Sequence, residues 1–303
     1  MMTASRIHNH RGVLLHDELM QKHTSWRVGG PADQFFTPED LDDLEVFLKA
    51  LPETEEITFI GLGSNLLVRD KGIRGTVVSL KGKMSDIESL EDCRLRVGAG
   101  TSCAKLARYC HRNNLIGGEF FAGIPGLLGG ALAMNAGAFG GVTWGVVDSV
   151  ITLDKQGNVH KRGAHDYEIN YRSVKGHENE WFVSADLQLK SGDGEAAAEQ
   201  VKALLKKRAE TQPTGVPSCG SVFKNPQGDF AARLIEASNL KGFAIGDAQV
   251  SEKHANFIIN TGQAKPSEIE AVIKKVQKTV KEKQGVELVT EVKIVGEFND
   301  ESL

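Results

Sequence analysis

Apolar positions recur at helical spacing over residues 38–51, where Leu41, Leu44, Phe47, Leu48 and Leu51 share one face and Pro38 suits a first turn with Glu39 and Asp40. The same period predicts a helix over 102–114 through Leu106, Ala107 and Cys110, a polar one over 195–211, and one over 230–240 with Gly242 beyond its end. Ile269, Val272, Ile273, Val276 and Val280 form the stripe of a further helix; Ser267 with Glu270 fits a capping box, and Gly285 stands where it can stop the helix. Period-two alternation is cleanest over 181–189, where Trp181, Val183, Ala185, Leu187 and Leu189 share a face. Shorter strands are expected over 57–60, 66–68, 75–80 and 94–97, with a hairpin of 146–153 and 158–161 across Asp154-Lys155-Gln156-Gly157. A closing strand is expected over 286–295, with Glu287, Val289, Glu291, Lys293 and Val295 on one face. Ser191-Gly192-Asp193-Gly194 is the best linker, and the residues from Asn299 read as a frayed tail. Helices and strands mixed in this way define an α+β chain.

Between Phe120 and Val147 the pattern gives way to a stretch without one charged side chain. Its length fits a membrane span, but Gly123, Gly126, Gly129, Gly130, Gly137, Gly140, Gly141 and Gly145, with Pro125 and Asn135, would make a poor helix. A backbone without Cβ atoms can approach a bulky anionic ligand and offer it bare N–H groups. A buried glycine-rich core segment has the same composition. A second candidate, Gly61-Leu62-Gly63-Ser64-Asn65, joins two predicted strands and sets Ser64 and Asn65 side chains beside loop amides, an arrangement suited to phosphate oxygens or to a plain hairpin turn. It is not the dinucleotide fingerprint: Leu66 replaces the third glycine, and an extended segment follows.

Six pieces stand in one order along the chain: Arg27-Val28-Gly29-Gly30-Pro31-Ala32; Gly61-Leu62-Gly63-Ser64-Asn65-Leu66-Leu67-Val68; Gly123-Ile124-Pro125-Gly126 through Met134-Asn135-Ala136-Gly137-Ala138-Phe139-Gly140; Tyr171-Arg172-Ser173; Cys219-Gly220-Ser221-Val222-Phe223-Lys224-Asn225-Pro226; and Glu291-Val292-Lys293. Together they resemble the signatures of the UDP-N-acetylenolpyruvoylglucosamine reductases (UDP-N-acetylmuramate dehydrogenases), the flavoenzymes of bacterial peptidoglycan precursor synthesis, from about His23 to Phe298. The resemblance implies a two-lobed FAD-binding region of the vanillyl-alcohol-oxidase (PCMH) type, residues 1–80 and 81–190, followed by an α+β substrate-binding domain, 191–303. It implies non-covalent FAD, held by Gly61, Gly63, Ser64, Asn65 and Leu66 and by Gly123, Ile124, Pro125, Gly126, Gly129, Gly130, Asn135, Ala136 and Gly137.

The implied reaction reduces UDP-N-acetylglucosamine enolpyruvate with NADPH: hydride reaches the methylene carbon from flavin N5, and a proton reaches the adjacent carbon. Ser221 is the implied proton donor; a hydrolase elbow GxSxG is absent, and a turn serine is the plain alternative. Glu291 is the implied assisting carboxyl group, against the plainer reading of a solvated pair with Lys293. Arg172 offers a planar fork to the enolpyruvyl carboxylate, or to a surface salt bridge. Tyr171, Lys224 and Asn225 are expected to contact substrate; Lys206, Lys207, Arg208 and Arg233 are vaguer candidates. Only Val174-Lys175-Gly176-His177-Glu178-Asn179-Glu180 separates the Tyr-Arg-Ser motif from the strand at Trp181, so the chain resembles the shorter class without a tyrosine-bearing loop. The same kind of flavin-binding architecture also serves oxidases of small alcohols, which would consume oxygen instead of nicotinamide.

The charge of −4 over 303 residues gives no electrostatic case for nucleic acid or an anionic membrane surface. Cys93, Cys103, Cys110 and Cys219 form no CxxC pair, the histidines show no metal-ligand spacing, and the first ten residues lack the apolar core of a signal peptide. A cytoplasmic, metal-free monomer is expected.

Overall fold

The alternating strand expected over 181–189 forms as Glu180–Gln188 and lies at the middle of a five-stranded antiparallel sheet. The order is Val159–Gly163, Val147–Asp154, Glu180–Gln188, Arg94–Gly98, Ile87–Ser89, with Ala185 opposite both Val150 and Val97. Val183, Ala185, Leu187 and Leu189 are all buried, as their alternation requires. The hairpin turn closes through Gly157 N–H to Asp154 O at 3.0 Å, with the Asp154 carboxylate accepting from Asn158 N–H at 2.8 Å. The computed structural model describes residues 10–298, so the tail expected from Asn299 lies outside the described residues.

The chain divides into two compact units. The first comprises the residues up to Leu15, Phe35–Gly61 and Gly75–Lys206; the second comprises His16–Gln34, Leu62–Arg74 and the residues from Lys207 onward. In the first unit, helix Cys103–Arg112 packs Leu106, Ala107 and Cys110 into a core with Leu95, Val97, Phe121, Leu132, Val150 and Leu187. Ser102 caps that helix, its hydroxyl accepting from Lys105 N–H at 3.2 Å. A second core gathers Phe36, Leu44, Phe47, Leu48, Val78 and Leu153 around helix Leu41–Ala50, with Phe36 and Phe47 stacked 3.7 Å apart. This helix begins later than the expected residue 38 because the Asp40 carboxylate caps it, accepting from Asp43 N–H at 2.9 Å. Strand Ile57–Ile60 runs parallel to residues 76–79. The expected linker, 191–194, is tied down by Asn114, which accepts from Gly192 N–H at 2.9 Å.

The core of the second unit is built on helix Pro266–Gln284, whose Ile269, Val272, Ile273, Val276 and Val280 are each at most 1% exposed. They pack against helix Ala231–Ala237 and a three-stranded antiparallel sheet, Ala244–Ile245, Ala248–Val250 and Ile258–Asn260. Gly285 ends the long helix with φ +71°. Its start differs from expectation. Pro266 takes the first helical position and Glu268 Oε2 accepts from Lys265 N–H at 2.9 Å, so the cap falls before Ser267; Glu270 instead pairs with Arg69. The closing strand is also shorter than 286–295. Only Lys293–Val295 is regular, because its parallel partner, Leu66–Val68, is three residues long.

Candidate active site

In the second unit three of the sequence motifs converge. Phe223 forms an antiparallel bridge with Thr290, Glu291 N–H donates to Val222 O at 2.7 Å, and Lys224 N–H donates to Val289 O at 2.9 Å. The Gly-Ser-Val-Phe-Lys-Asn segment and the Glu291 segment are thus neighbours, with Ser221 two residues before the bridge. The third motif joins through Asn65, whose Nδ2 donates to Glu291 O at 3.0 Å and whose carbonyl accepts from Lys293 N–H at 3.0 Å. Glu291 is half-buried and Lys293 exposed.

Ser221 sits at a bend. Gly220 before it has φ +71°, a left-handed conformation with no chain atom within 4 Å of where a Cβ would stand. Cys219 anchors the near side: its buried thiol faces Gly63 O at 3.4 Å and Leu66 O at 3.6 Å. Burial pushes that thiol up to about 12, so it stays protonated and serves as a donor, not a nucleophile. Gly63 is required by packing as well as by conformation. It has φ +60°, and a Cβ would stand 2.1 Å from His23 O. Ser64 and Leu66 flank Asn65 in the same half-buried loop.

Lys224 is half-buried, and Asn225 is exposed with its Oδ1 accepting from Ala231 N–H at 3.1 Å at the start of helix Ala231–Ala237. Arg233 is turned onto Asp229, with Nε 2.7 Å from Oδ1, which explains its character as a solvated helix face. Arg208 is partly buried, donating from Nε to Gln212 Oε1 at 2.7 Å, and burial lowers its pKa.

The first unit holds Gly61, the glycine-rich stretch, Tyr171 and Arg172. Tyr171 and Arg172 are the two turn residues of the hairpin Glu168–Asn170/Ser173–Lys175, and Arg172 takes φ +52°. Its Nη2 donates to Gly137 O at 2.8 Å and its Nη1 to Asn135 O at 3.3 Å; Tyr171 is exposed, its ring centroid 5.2 Å from Arg172 Cζ. The glycine-rich stretch folds on itself. Ala136 N–H reaches Ala131 O at 2.9 Å, Ile124 N–H reaches Phe121 O at 3.1 Å, and Gly126 O accepts from Cys103 N–H at 3.0 Å. Gly129 N–H is spent on Ala99 O at 2.9 Å, whereas Pro125 and Gly130 are exposed, and nothing lies within 4 Å of a Cβ at Gly130. A Cβ at Gly123 would stand 2.5 Å from that of Ala138.

Two buried hydroxyls beside this stretch have no partner among the described residues, that of Tyr167, whose ring lies 4.9 Å from that of Trp144, and that of Thr101. Thr101 Oγ1 is buried and unbonded among the described residues, while the Thr101 carbonyl accepts from Leu128 N–H at 2.9 Å. A buried orphan hydroxyl next to a bare glycine backbone fits a polar cofactor group arriving there. Thr101 and, in the second unit, Asn256 are the residues that sequence reasoning passed over. Gly98-Ala99-Gly100 before Thr101 was the available signal for the first; Asn256 offered none.

Among the described residues no group of His, Cys, Asp and Glu could hold a metal ion, and no helix is long and apolar enough to cross a membrane. Residues 32–163 match the family model described as an FAD binding domain, which defines the chain as a flavoprotein of the PCMH-type α+β fold. Residues 212–295 match the C-terminal domain of UDP-N-acetylenolpyruvoylglucosamine reductase. The chain is 56% identical to the UDP-N-acetylenolpyruvoylglucosamine reductase of Alkalilimnicola ehrlichii over 94% of its own length and 96% of the relative's. It is 55% identical to that of Methylococcus capsulatus over 95% and 94%. The crystal structure of UDP-N-acetylenolpyruvylglucosamine reductase from Thermus caldophilus superposes with a TM-score of 0.81 at 31% identity, covering 94% of this chain and 98% of that one. The chain belongs to the UDP-N-acetylenolpyruvoylglucosamine reductase family.

Proposed function

We propose that this chain reduces UDP-N-acetylglucosamine enolpyruvate to UDP-N-acetylmuramate at the expense of NADPH, in the synthesis of bacterial peptidoglycan precursors. Bound FAD supplies the two-electron relay between nicotinamide and the enolpyruvyl double bond. The side chains do the rest. Ser221 delivers a proton to the carbon beside the carboxylate, Glu291 polarises the enolpyruvyl group, and Arg172 holds the carboxylate and the charge that builds there. A serine hydroxyl is a weak acid, so Ser221 needs a neighbour that strengthens donation. The observation that carries this reading is the 2.7 Å bond from Glu291 N–H to Val222 O, which supports placing the carboxyl-bearing residue beside the serine segment.

In this reading Tyr171, Lys224 and Asn225 meet the substrate. Gly61, Gly63, Ser64, Asn65 and Leu66, with Gly123–Gly126, Gly129, Gly130 and 135–137, receive the cofactor together with Thr101. Residues 1–80 and 81–190 are flavin lobes and 191–303 the substrate lobe, a division by task and not by compactness. In the shorter-class reading, only residues 176–179 connect strand Ser173–Lys175 to Glu180–Gln188. We assign the protein to the cytoplasm as a monomer, free of membrane and nucleic acid.

The test is spectroscopic. The purified protein is expected to be yellow, to release its flavin on denaturation, and to oxidise NADPH rapidly only when the enolpyruvyl compound is present. A protein that takes up no FAD overturns the reading. Oxygen uptake that matches turnover, with no effect of the enolpyruvyl compound, would favour the oxidase alternative.

A further inference from the structure

We propose that Asn256 is a positioning residue for proton delivery, setting Ser221 through the backbone of the two residues that follow it. This rests on the assignment of Ser221 as proton donor. Asn256 is 3% exposed and spends its whole amide on Phe223: Oδ1 accepts from Phe223 N–H at 2.9 Å, and Nδ2 donates to Phe223 O at 2.8 Å. Its own carbonyl accepts from Val222 N–H at 2.8 Å. The remaining polar group of the pair, Val222 O, accepts from Glu291 N–H at 2.7 Å. Every backbone donor and acceptor of Val222 and Phe223 is therefore satisfied, three of the four by Asn256.

The consequence falls on Ser221. On one side is Gly220, whose φ of +71° gives the chain its bend; on the other is a dipeptide whose backbone donors and acceptors are all bonded. The same dipeptide carries Glu291 through Val222 O, so one buried amide fixes the serine and the glutamate backbones in mutual register. Proton transfer is sensitive to such placement: a misplacement on the order of 1 Å can cost about 10²-fold in rate. At neutral pH and above an amide meets the requirement where a carboxylate does not, since the site demands one acceptor and one donor on the same short side chain. Ionised Asp offers two acceptors and repels Phe223 O; Leu offers neither.

That chemistry gives a specific readout. A protonated Asp carries a hydroxyl donor and a carbonyl acceptor, so Asn256→Asp regains the native pairing when its carboxyl group is neutral, which burial favours. The titratable groups around the pairing are His254, whose Nδ1 accepts from Asn256 N–H at 3.3 Å, Glu291 on Val222 O, and the Cys219 thiol. All three are present in the wild type, so the ratio of variant to wild type isolates residue 256.

The experiment uses the FAD-loaded full chain and its Asn256→Asp and Asn256→Ser variants, with each half-reaction followed by stopped-flow absorbance. Flavin reduction by NADPH is expected to stay within about twofold of wild type, while reoxidation by the enolpyruvyl substrate falls about 10²-fold at about pH 8. For Asn256→Asp the ratio to wild type recovers at least about tenfold by about pH 5.5; for Asn256→Ser it does not. Hydrogen exchange in the 219–226 peptide of Asn256→Ser accelerates independently of turnover. Wild-type reoxidation in both variants, equal loss of both half-reactions, loss of bound flavin, or unchanged exchange would each overturn the proposal. A wild-type holoenzyme that NADPH reduces but the enolpyruvyl compound fails to reoxidise overturns the functional reading instead.

Discussion

Asn135 holds the hairpin that presents Arg172 by two separate bonds: its Nδ2 donates to Asn170 O at 3.3 Å, and its carbonyl accepts from Arg172 Nη1 at 3.3 Å. Its Oδ1 meanwhile accepts from Trp144 N–H at 3.1 Å, so the whole side-chain amide is engaged within the first unit. Asn135 also takes φ +45°, a conformation that asparagine tolerates better than most residues. Replacing it with alanine strands the buried Trp144 N–H, a loss of about 1–3 kcal/mol. We expect Asn135→Ala to lower the Tm and to raise the KM for the enolpyruvyl substrate more than that for NADPH. Steady-state kinetics with each substrate varied in turn check this; equal changes in both KM values would separate Asn135 from the Arg172 hairpin.

Gly63 answers for the protein's fold before it answers for cofactor binding. A Cβ there meets His23 O at 2.1 Å, and the left-handed backbone adds about 1–2 kcal/mol for a residue such as valine. Gly63→Val should therefore unfold at lower temperature even without FAD. Calorimetry of flavin-free protein decides; an unchanged apo Tm with lost flavin uptake would assign Gly63 to the cofactor alone.

The helical faces were legible in the sequence because their information is local. The stripe Ile269, Val272, Ile273, Val276 and Val280 and the alternation Val183, Ala185, Leu187 can be read from spacing alone, and each of these residues is buried. Helix starts were less legible: Ser267 with Glu270 fits a capping box in the sequence, but Glu270 pairs with Arg69, across more than two hundred residues of sequence, and Glu268 takes the Lys265 N–H instead. The proposed site was legible only as motifs. Asn256 bonds the backbone of Phe223, 33 residues away, and the Thr101 hydroxyl is singled out only by having no partner among the described residues, so neither leaves a periodic trace.

Arg69 and Glu270 give the second unit an acid-labile clamp. Burial raises the Glu270 pKa, but the hydrogen bonds and charge of Arg69, with Lys274 beside it, outweigh that and hold it below the ordinary carboxylate value. A depressed folded pKa contributes stability above the unfolded value that is lost as pH falls through the folded one. Glu270→Gln is expected to lower the Tm at neutral pH, with the gap to wild type closing below about pH 4. A gap independent of pH would mean that packing, not charge, holds the pair.

The Cys219 thiol, buried and pushed up to about 12, is expected to resist alkylation in the folded holoenzyme at mildly alkaline pH and to react fully in denaturant. Mass spectrometry of iodoacetamide-treated protein reads this out. Rapid labelling of folded protein would show the contact with Gly63 O and Leu66 O to be open on that timescale.

The claim that Ser221 delivers the proton meets its most direct test in Ser221→Ala, studied by stopped-flow absorbance of each half-reaction in the FAD-loaded protein. The account predicts flavin reduction by NADPH near the wild-type rate and reoxidation by the enolpyruvyl substrate slower by about 10²–10⁴-fold, the usual contribution of a positioned general acid. Ser221→Cys, which retains a donor, should recover part of that loss. Equal losses in both half-reactions, or none in the second, would contradict it and leave Ser221 as a turn residue.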